Sequence, residues 1–251
     1  MKTSTAARSV ALEVTRLSKS YPGVVALSGV SFAVHAGEVH GLVGENGAGK
    51  STLLKSIAGA VPFDSGSVAV FGTDLAGGNP RQAADAGLAM IYQELTIVPE
   101  LSAAANVHLG SPPNRFGVVD RALVERQFRD AASRIGLDVS LRTRAGQLST
   151  ANQQLVEIMR AMISDRRLVI MDEPTASLGP ADIDRLHKVI RELRATDHAI
   201  VYVSHDLEAV LDICDVVTVL REGEVVASRP ASDWTKPEII RAMPVSYTHL
   251  T

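Results

Sequence analysis

The sequence predicts an α/β fold with a mostly parallel sheet, an N-terminal antiparallel β subdomain and an α-helical insertion. Three observations carry that expectation. Short apolar runs alternate with stretches of helical periodicity. The first of these runs leads through a glycine-rich turn into a helix. One long helical stretch lies between two of the runs, where a sheet would otherwise continue.

The elements follow in chain order. LEVTRLSKSY (12–21) and VSFAVHAGEV (30–39) read as antiparallel strands with a turn at Ala36-Gly37. The apolar runs are Val39 to Val43, Leu88 to Tyr92, Leu168 to Met171, Ala199 to Val203 and Val216 to Leu220. Continuous Val/Ile/Leu-rich runs of this length suit strands buried on both faces, and their alternation with helices argues a parallel sheet. A helix is expected from Lys50 through Ala58, and helix again from Asp120 to Met162 apart from a break near Gly136 to Gly146. Val216 to Val226 reads as a hairpin with Gly223 in its turn.

The 251 residues suffice for one large domain or two small ones with a real core. Hydrophobic residues at 46% and charged residues at 21% are ordinary for a soluble protein. A net charge of −3 offers no basic excess for nucleic acid, which is not expected as a partner. The single cysteine, Cys214, has no cysteine or histidine at metal-ligand spacing and reads as a buried, inert thiol. No apolar run approaches the ~20 residues of a spanning helix, so no direct transmembrane segment is expected. The chain is expected in the cytoplasm, with any membrane role exercised through a partner.

The most specific chemical signal is the run Gly44-Glu45-Asn46-Gly47-Ala48-Gly49-Lys50-Ser51. It stands between an apolar strand and a helix, the context a phosphate-binding loop requires. Its glycines allow positive φ and let backbone N–H groups approach an anion, while the helix N-terminus adds about half a positive charge. Lys50 supplies a full charge for β- and γ-phosphates, and the Ser51 hydroxyl suits magnesium. With Thr52, these residues are the candidate nucleotide contacts, and the fold class sharpens to a P-loop NTPase. The loop alone does not separate an ATPase from a kinase or a GTPase.

Two further motifs narrow the chemistry. Leu168-Val-Ile-Met171 ends in Asp172 and Glu173. Asp172 at the end of a buried strand can hold magnesium, and Glu173 is positioned to polarise an attacking water. Upstream, Ser149 is a candidate N-cap of the helix running to Met162. That helix start is a second anion site, and one nucleotide with two such sites suggests that Ser149 serves a phosphate on another subunit.

With these motifs in their order, the chain resembles an ATP-binding-cassette (ABC) ATPase subunit over about residues 10 to 243. The resemblance adds Gln93 after a strand and His205 after AIVYVS (199–204). It implies that Gln93 contacts magnesium and the attacking water and couples the site to membrane subunits. It implies that His205 contacts the γ-phosphate and helps orient Glu173. Tyr21 lies where the family has an aromatic on adenine, and Ala151 lies in the signature segment that begins at Leu148. The helical subdomain would span about residues 95 to 162. The implied cofactors are ATP and Mg2+, and the implied partners are a second cassette arranged head-to-tail and membrane permease subunits. The permease would meet the surface around Gln93 to Gly110, leaving the protein peripheral on the inner face of the membrane. GEVHGLVGENGAGKSTLLK, MIYQELTIVPELSAAANVHLG and NQQLVEIMRAM further resemble the ATPases of bacterial ribose, galactose and xylose importers. Those carry two cassettes in tandem, and the retained Lys50 resembles the first.

The sequence departs from the family pattern in three places. Thr150, Ala151 and Asn152 stand where the signature usually has two glycines and a glutamine, and Ala151 adds a Cβ where backbone would approach a phosphate. Gly179 replaces an aspartate that many members use across the dimer. Residues 244–251, after the helical ending at Met243, lack helical periodicity and family resemblance, and are expected to be a non-native or disordered tail of a truncated frame. The leading reading is a transport ATPase, probed against a soluble ABC ATPase not coupled to transport and a nucleotide-binding half-module inactive without its second cassette.

Overall fold

The structure, a computed structural model, describes residues 9–115, 117–164 and 166–243, so the expected tail at 244–251 lies outside the described residues. The chain opens with β1 (Val10–Tyr21), β2 (Val24–His35) and β3 (Val39–Val43), then α1 (Lys50–Ile57), β4 (Ser65–Val70) and β5 (Thr73–Asp74). Next come α2 (Pro80–Asp85), β6 (Leu88–Ile91), α3 (Ala103–Val107), β7 (Asn114–Arg115), β8 (Val118–Val119), α4 (Arg121–Arg134) and α5 (Thr150–Ile163). The chain continues through β9 (Leu168–Asp172), α6 (Pro180–Ala195), β10 (Ala199–Val203), α7 (Leu207–Ile213), β11 (Val216–Arg221), β12 (Glu224–Pro230) and α8 (Lys236–Ala242).

All five apolar runs are strands of one six-stranded sheet in the order β12-β11-β3-β10-β9-β6. The five are parallel to one another, and only β12 runs antiparallel, as the hairpin partner of β11. Alternate residues of these strands enter two different cores. Val39, Val43, Val169, Met171, Ile200 and Tyr202 join a core with α3 through α8, whereas Leu42, Leu168, Ile170, Val201 and Val203 join one with α1 and the N-terminal sheet. Burial on both faces is why the runs are continuously apolar rather than alternating. Cys214 packs in the first core, where burial pushes its thiol pKa far up.

The N-terminal sheet has the order β2-β1-β4-β5. Here one turn expectation is corrected. The strands β1 and β2 are antiparallel, but their hairpin turn is Pro22-Gly23, bringing Tyr21 opposite Val24. Ala36-Gly37 instead carries the chain out of β2 into β3 of the other sheet. Both turns contain a glycine at positive φ, so turn chemistry alone does not tell them apart. The strands β4 and β5 were not anticipated, because only Val68 and Val70 of Ser65–Val70 are buried.

Between β6 and β9 the chain leaves the sheet to form α3, the β7–β8 ribbon, α4 and α5. Helix α5 packs on both α3 and α4 through Leu155, Val156, Ile158 and Met159. Strand register then places the site. Val203 lies beside Asp172 and Leu42, and Ile91 beside Met171, so the loops after β3, β6, β9 and β10 leave the same sheet edge. Ligands of open parallel sheets bind at this edge.

Candidate nucleotide site

Gly44 opens the loop after β3 where side chains do not fit: a Cβ there would strike the Leu220 carbonyl of β11. Gly47 and Gly49 adopt φ of 86° and 103°, the left-handed region that favours glycine. Gly49 is the N-cap of α1 and offers no side-chain hydrogen bond, so the amides of the first turn are left for a ligand. The loop is braced from behind. The Gly223 amide donates to the Ala48 carbonyl at 2.9 Å, and the Ser28 amide donates to the Gly223 carbonyl at 2.8 Å. Thus the β11–β12 turn clamps the loop to β2.

The loop borders a cleft of about 470 Å³ that also receives Gln93, Asp172, Glu173 and His205. From the loop and α1, it is lined by Glu45, Asn46, Gly47, Gly49, Lys50, Ser51 and Thr52. Lys50 Nζ donates to the Gly44 and Glu45 carbonyls at 2.5 and 3.0 Å. Burial holds its pKa below the ordinary lysine value, against the opposing charges of Glu173, Asp172 and Glu45. Asp172 ends β9 with its pKa raised, first by burial and then by the charge of Glu173, while Lys50 and Lys55 oppose the shift.

Glu173 has φ of +49°, uncommon for a non-glycine residue. Its amide donates to the Val203 carbonyl at 3.0 Å, which ties the turn to β10. Its Oε2 lies 2.7 Å from His205 Nδ1. An ionised carboxylate only accepts, so Nδ1 is the protonated ring nitrogen of that pair. Glu173 is sheltered, with its side chain 15% exposed, while His205 is 75% exposed at the mouth.

Other candidates fall outside this cleft. Gly44 lines an adjoining hollow with Ser204 and Leu207, and Ala48 is buried under the loop. Tyr21 is exposed at the end of β1, with Lys19 Nζ 5.6 Å from its ring centroid, and does not line the cleft. The apolar wall there consists of the exposed Val24 and Val25, which sequence reasoning missed. Two exposed β-branched residues just after a Pro-Gly turn were the available signal. Ser149 caps α5, its Oγ accepting from the Asn152 amide at 3.3 Å, and Ala151 is buried in the first turn. Neither lines the cleft.

The donor set fits a hard divalent cation only in combination with phosphate. Among the described residues no group of three His, Cys, Asp or Glu could hold a metal unaided. Ser51, Gln93 and Asp172 offer oxygen donors in one cleft, the pattern magnesium uses when phosphates and waters complete its shell.

A family model described as ABC transporter matches residues 27–176. The ribose import ATP-binding protein RbsA 1 of Rubrobacter xylanophilus is 44% identical over 92% of this chain and 46% of its own length. The arabinose import ATP-binding protein AraG 1 of Burkholderia cenocepacia is 44% identical over 89% of this chain and 44% of its own length. The chain therefore spans about half the length of the curated relatives it matches. Among solved structures, an ATP-binding cassette of an ABC transporter in its ADP conformation is similar at a TM-score of 0.81 and 26% identity, covering 93% of this chain and 98% of that one.

Proposed function

The chain belongs to the ABC transporter family, and from that premise we propose that it binds Mg-ATP and hydrolyses it to drive a membrane importer of a monosaccharide. The observation that carries the proposal is the convergence of Lys50, Asp172 and the Glu173–His205 pair on one cleft beneath an uncapped helix. Phosphates would bind the loop amides, and Lys50 would exchange its contacts with Gly44 and Glu45 carbonyls for phosphate oxygens. Ser51, Gln93 and Asp172 would hold magnesium, which supplies charge neutralisation of the β- and γ-phosphates. Glu173 would take the proton of the attacking water, while the Nδ1–H of His205 keeps its carboxylate oriented. His205, at the mouth of the cleft, would present Nε2 to the γ-phosphate side.

The names of the two relatives support a sugar as cargo, and the retained Lys50 supports a place as the first of two tandem cassettes. The partner cassette would present its signature to Lys50 and Ser51 head-to-tail, and Ser149 would serve the partner's nucleotide. A permease would dock near Gln93 to Gly110. That surface carries an apolar groove of about 640 Å³ lined by Ala104, Ala105, Leu109 and Val124. No helix among the described residues is long and apolar enough to cross a membrane. We propose that the chain attaches peripherally, at the cytoplasmic face, through the permease at that groove.

One observation favours a second reading, a half-module that binds ATP without turnover. The Ser149 end lies outside the chain's own cleft, and its first turn carries the Cβ of Ala151. Both readings are tested with the purified chain by measuring ATP affinity and hydrolysis across protein concentration. Glu173→Gln is expected to keep ATP affinity and lose roughly 10²- to 10⁴-fold in turnover, the usual contribution of a general base. Undiminished turnover in that variant rejects the base assignment. Binding without hydrolysis by the unmodified chain at every concentration selects the half-module.

A further inference from the structure

A buried carboxylate outside every nucleotide-binding motif ties down the loop that carries Gln93. Glu157 lies in the middle of α5 and is 4% exposed. Its Oε1 accepts from the Thr96 amide at 2.6 Å and from Thr96 Oγ1 at 2.5 Å. Thr96 Oγ1 in turn accepts from Arg160 Nη1 at 3.0 Å, and Arg160 Nε donates to the Asn106 carbonyl at 3.1 Å. The buried Asn106 closes the clasp: its side chain accepts from the Val98 amide at 2.8 Å and donates to the Val98 carbonyl at 3.0 Å. The loop is thereby pinned at two positions just beyond Gln93.

Packing alone does not call for an acid here. A carboxylate in the middle of a core helix loses its hydration and is tolerated only for the hydrogen bonds it accepts. Those bonds all go to Thr96. The clasp is also incompletely satisfied. Glu157 Oε2 and Arg160 Nη2 are buried without a hydrogen-bond partner among the described residues. The two residues stand three apart on one helix, so they can pair directly once Thr96 leaves. The same helix reaches the hydrolytic end of the cleft, where Gln154 Nε2 donates to the carbonyl of Pro174, next to Glu173.

We propose that Glu157 is a positioning residue for Gln93. It fixes loop 93–98 on α5 so that the Gln93 amide stands in the cleft with Ser51 and Asp172, and a direct Glu157–Arg160 pair is the released arrangement. The proposal rests on the reading of the cleft as a Mg-ATP site.

The test uses the purified chain with ATP as the probe, its affinity measured in EDTA and in excess magnesium, together with amide hydrogen exchange in the absence of nucleotide. Glu157→Gln is expected to leave the EDTA affinity within about twofold and to reduce the magnesium-dependent gain about tenfold, the scale of one charge-assisted hydrogen bond. The Thr96 and Val98 amides should exchange at least about tenfold faster, with the amides of β3 and β9 unchanged. Thr96→Val, which leaves the α5 core intact, should act in the same direction. Unaltered exchange at Thr96, or an unaltered magnesium gain in both variants, overturns the proposal. So does a parallel loss of both affinities with faster exchange in β9, which marks a structural role only. An unmodified chain that binds no ATP, or gains nothing from magnesium, rejects instead the underlying reading of the cleft.

Discussion

Helices α1 and α5 both begin at ends able to hold an anion, yet they are built differently. The first turn of α1 follows Gly49 in the left-handed region, has no side-chain cap, and shares its cleft with Lys50, Asp172 and Glu173. The first turn of α5 follows Ser149, whose hydroxyl already takes the Asn152 amide, and it shares no cleft with those residues. One end has its charges, its acid and its glycine backbone within the chain. The other is a capped, locally stable helix start, braced by Arg185 Nη1 on Asn152 Oδ1 at 3.2 Å and by Gln153 Nε2 on the Ala145 carbonyl at 3.0 Å. The α1 end leaves its first-turn amides free of side-chain caps beside buried charge, whereas the α5 end is closed by ordinary capping.

The largest expected contrast between the two ends is in affinity. Lys50→Ala should weaken ATP binding by the isolated chain about 30- to 100-fold, since a charge-assisted contact to phosphate is lost. Ser149→Ala should leave that affinity unchanged. Titration with a fluorescent nucleotide reads both. Equal losses in the two variants would erase the distinction drawn between α1 and α5.

A smaller effect tests the α5 end in its assembled role. Ala151→Gly removes the Cβ from the buried first turn and should leave ATP affinity of the isolated chain unchanged. Paired with a second cassette, the variant should hydrolyse ATP several-fold faster, if the Cβ restrains approach of backbone to phosphate. The cost is helix propensity, about 1 kcal/mol, which appears as a melting temperature lower by a few degrees. Slower turnover in the paired variant would show that the alanine is not what limits this end.

The same contrast explains what was legible in the sequence. The sheet could be read because its five parallel strands are buried on both faces and leave unbroken apolar runs. The N-terminal sheet was harder, because Ser65–Val70 buries only Val68 and Val70, and because Pro22-Gly23 and Ala36-Gly37 carry equivalent turn signals. In the cleft, the contiguous pieces were visible as motifs: Gly44 to Thr52, and Asp172-Glu173. Gln93 and His205 were expected only through the family resemblance, and other residues brought in from elsewhere were not expected. Val24 and Val25 wall the cleft from another sheet, Gly223 clamps the loop from a hairpin far along the chain, and Glu157 holds the Gln93 loop from 61 positions away in sequence. Linear spacing does not encode such contacts, because the fold alone brings them together.

The smallest expected effect concerns the cost of keeping charge in the cleft at α1. Burial and the neighbouring Glu173 raise the Asp172 pKa above its ordinary 3.8, despite Lys50 and Lys55. A carboxyl whose pKa is raised by folding contributes stability that is present below its unfolded pKa and is lost as pH rises through its folded pKa. Near pH 8 the ionised Asp172 is therefore a burden on the nucleotide-free chain. Asp172→Asn should raise its melting temperature by about 2 °C there, an effect kept small because the group is partly solvated. The gain should shrink as the pH falls through the raised pKa, where the unmodified carboxyl takes up its proton. Ser149→Ala should do the opposite at any pH, costing about 1 kcal/mol of helix cap. Thermal melts at several pH values decide the matter. An Asp172→Asn variant less stable than the unmodified chain near pH 8 would mean that Lys50 and Lys55 outweigh burial and Glu173, and that the cleft is relaxed rather than held under electrostatic strain for its ligand.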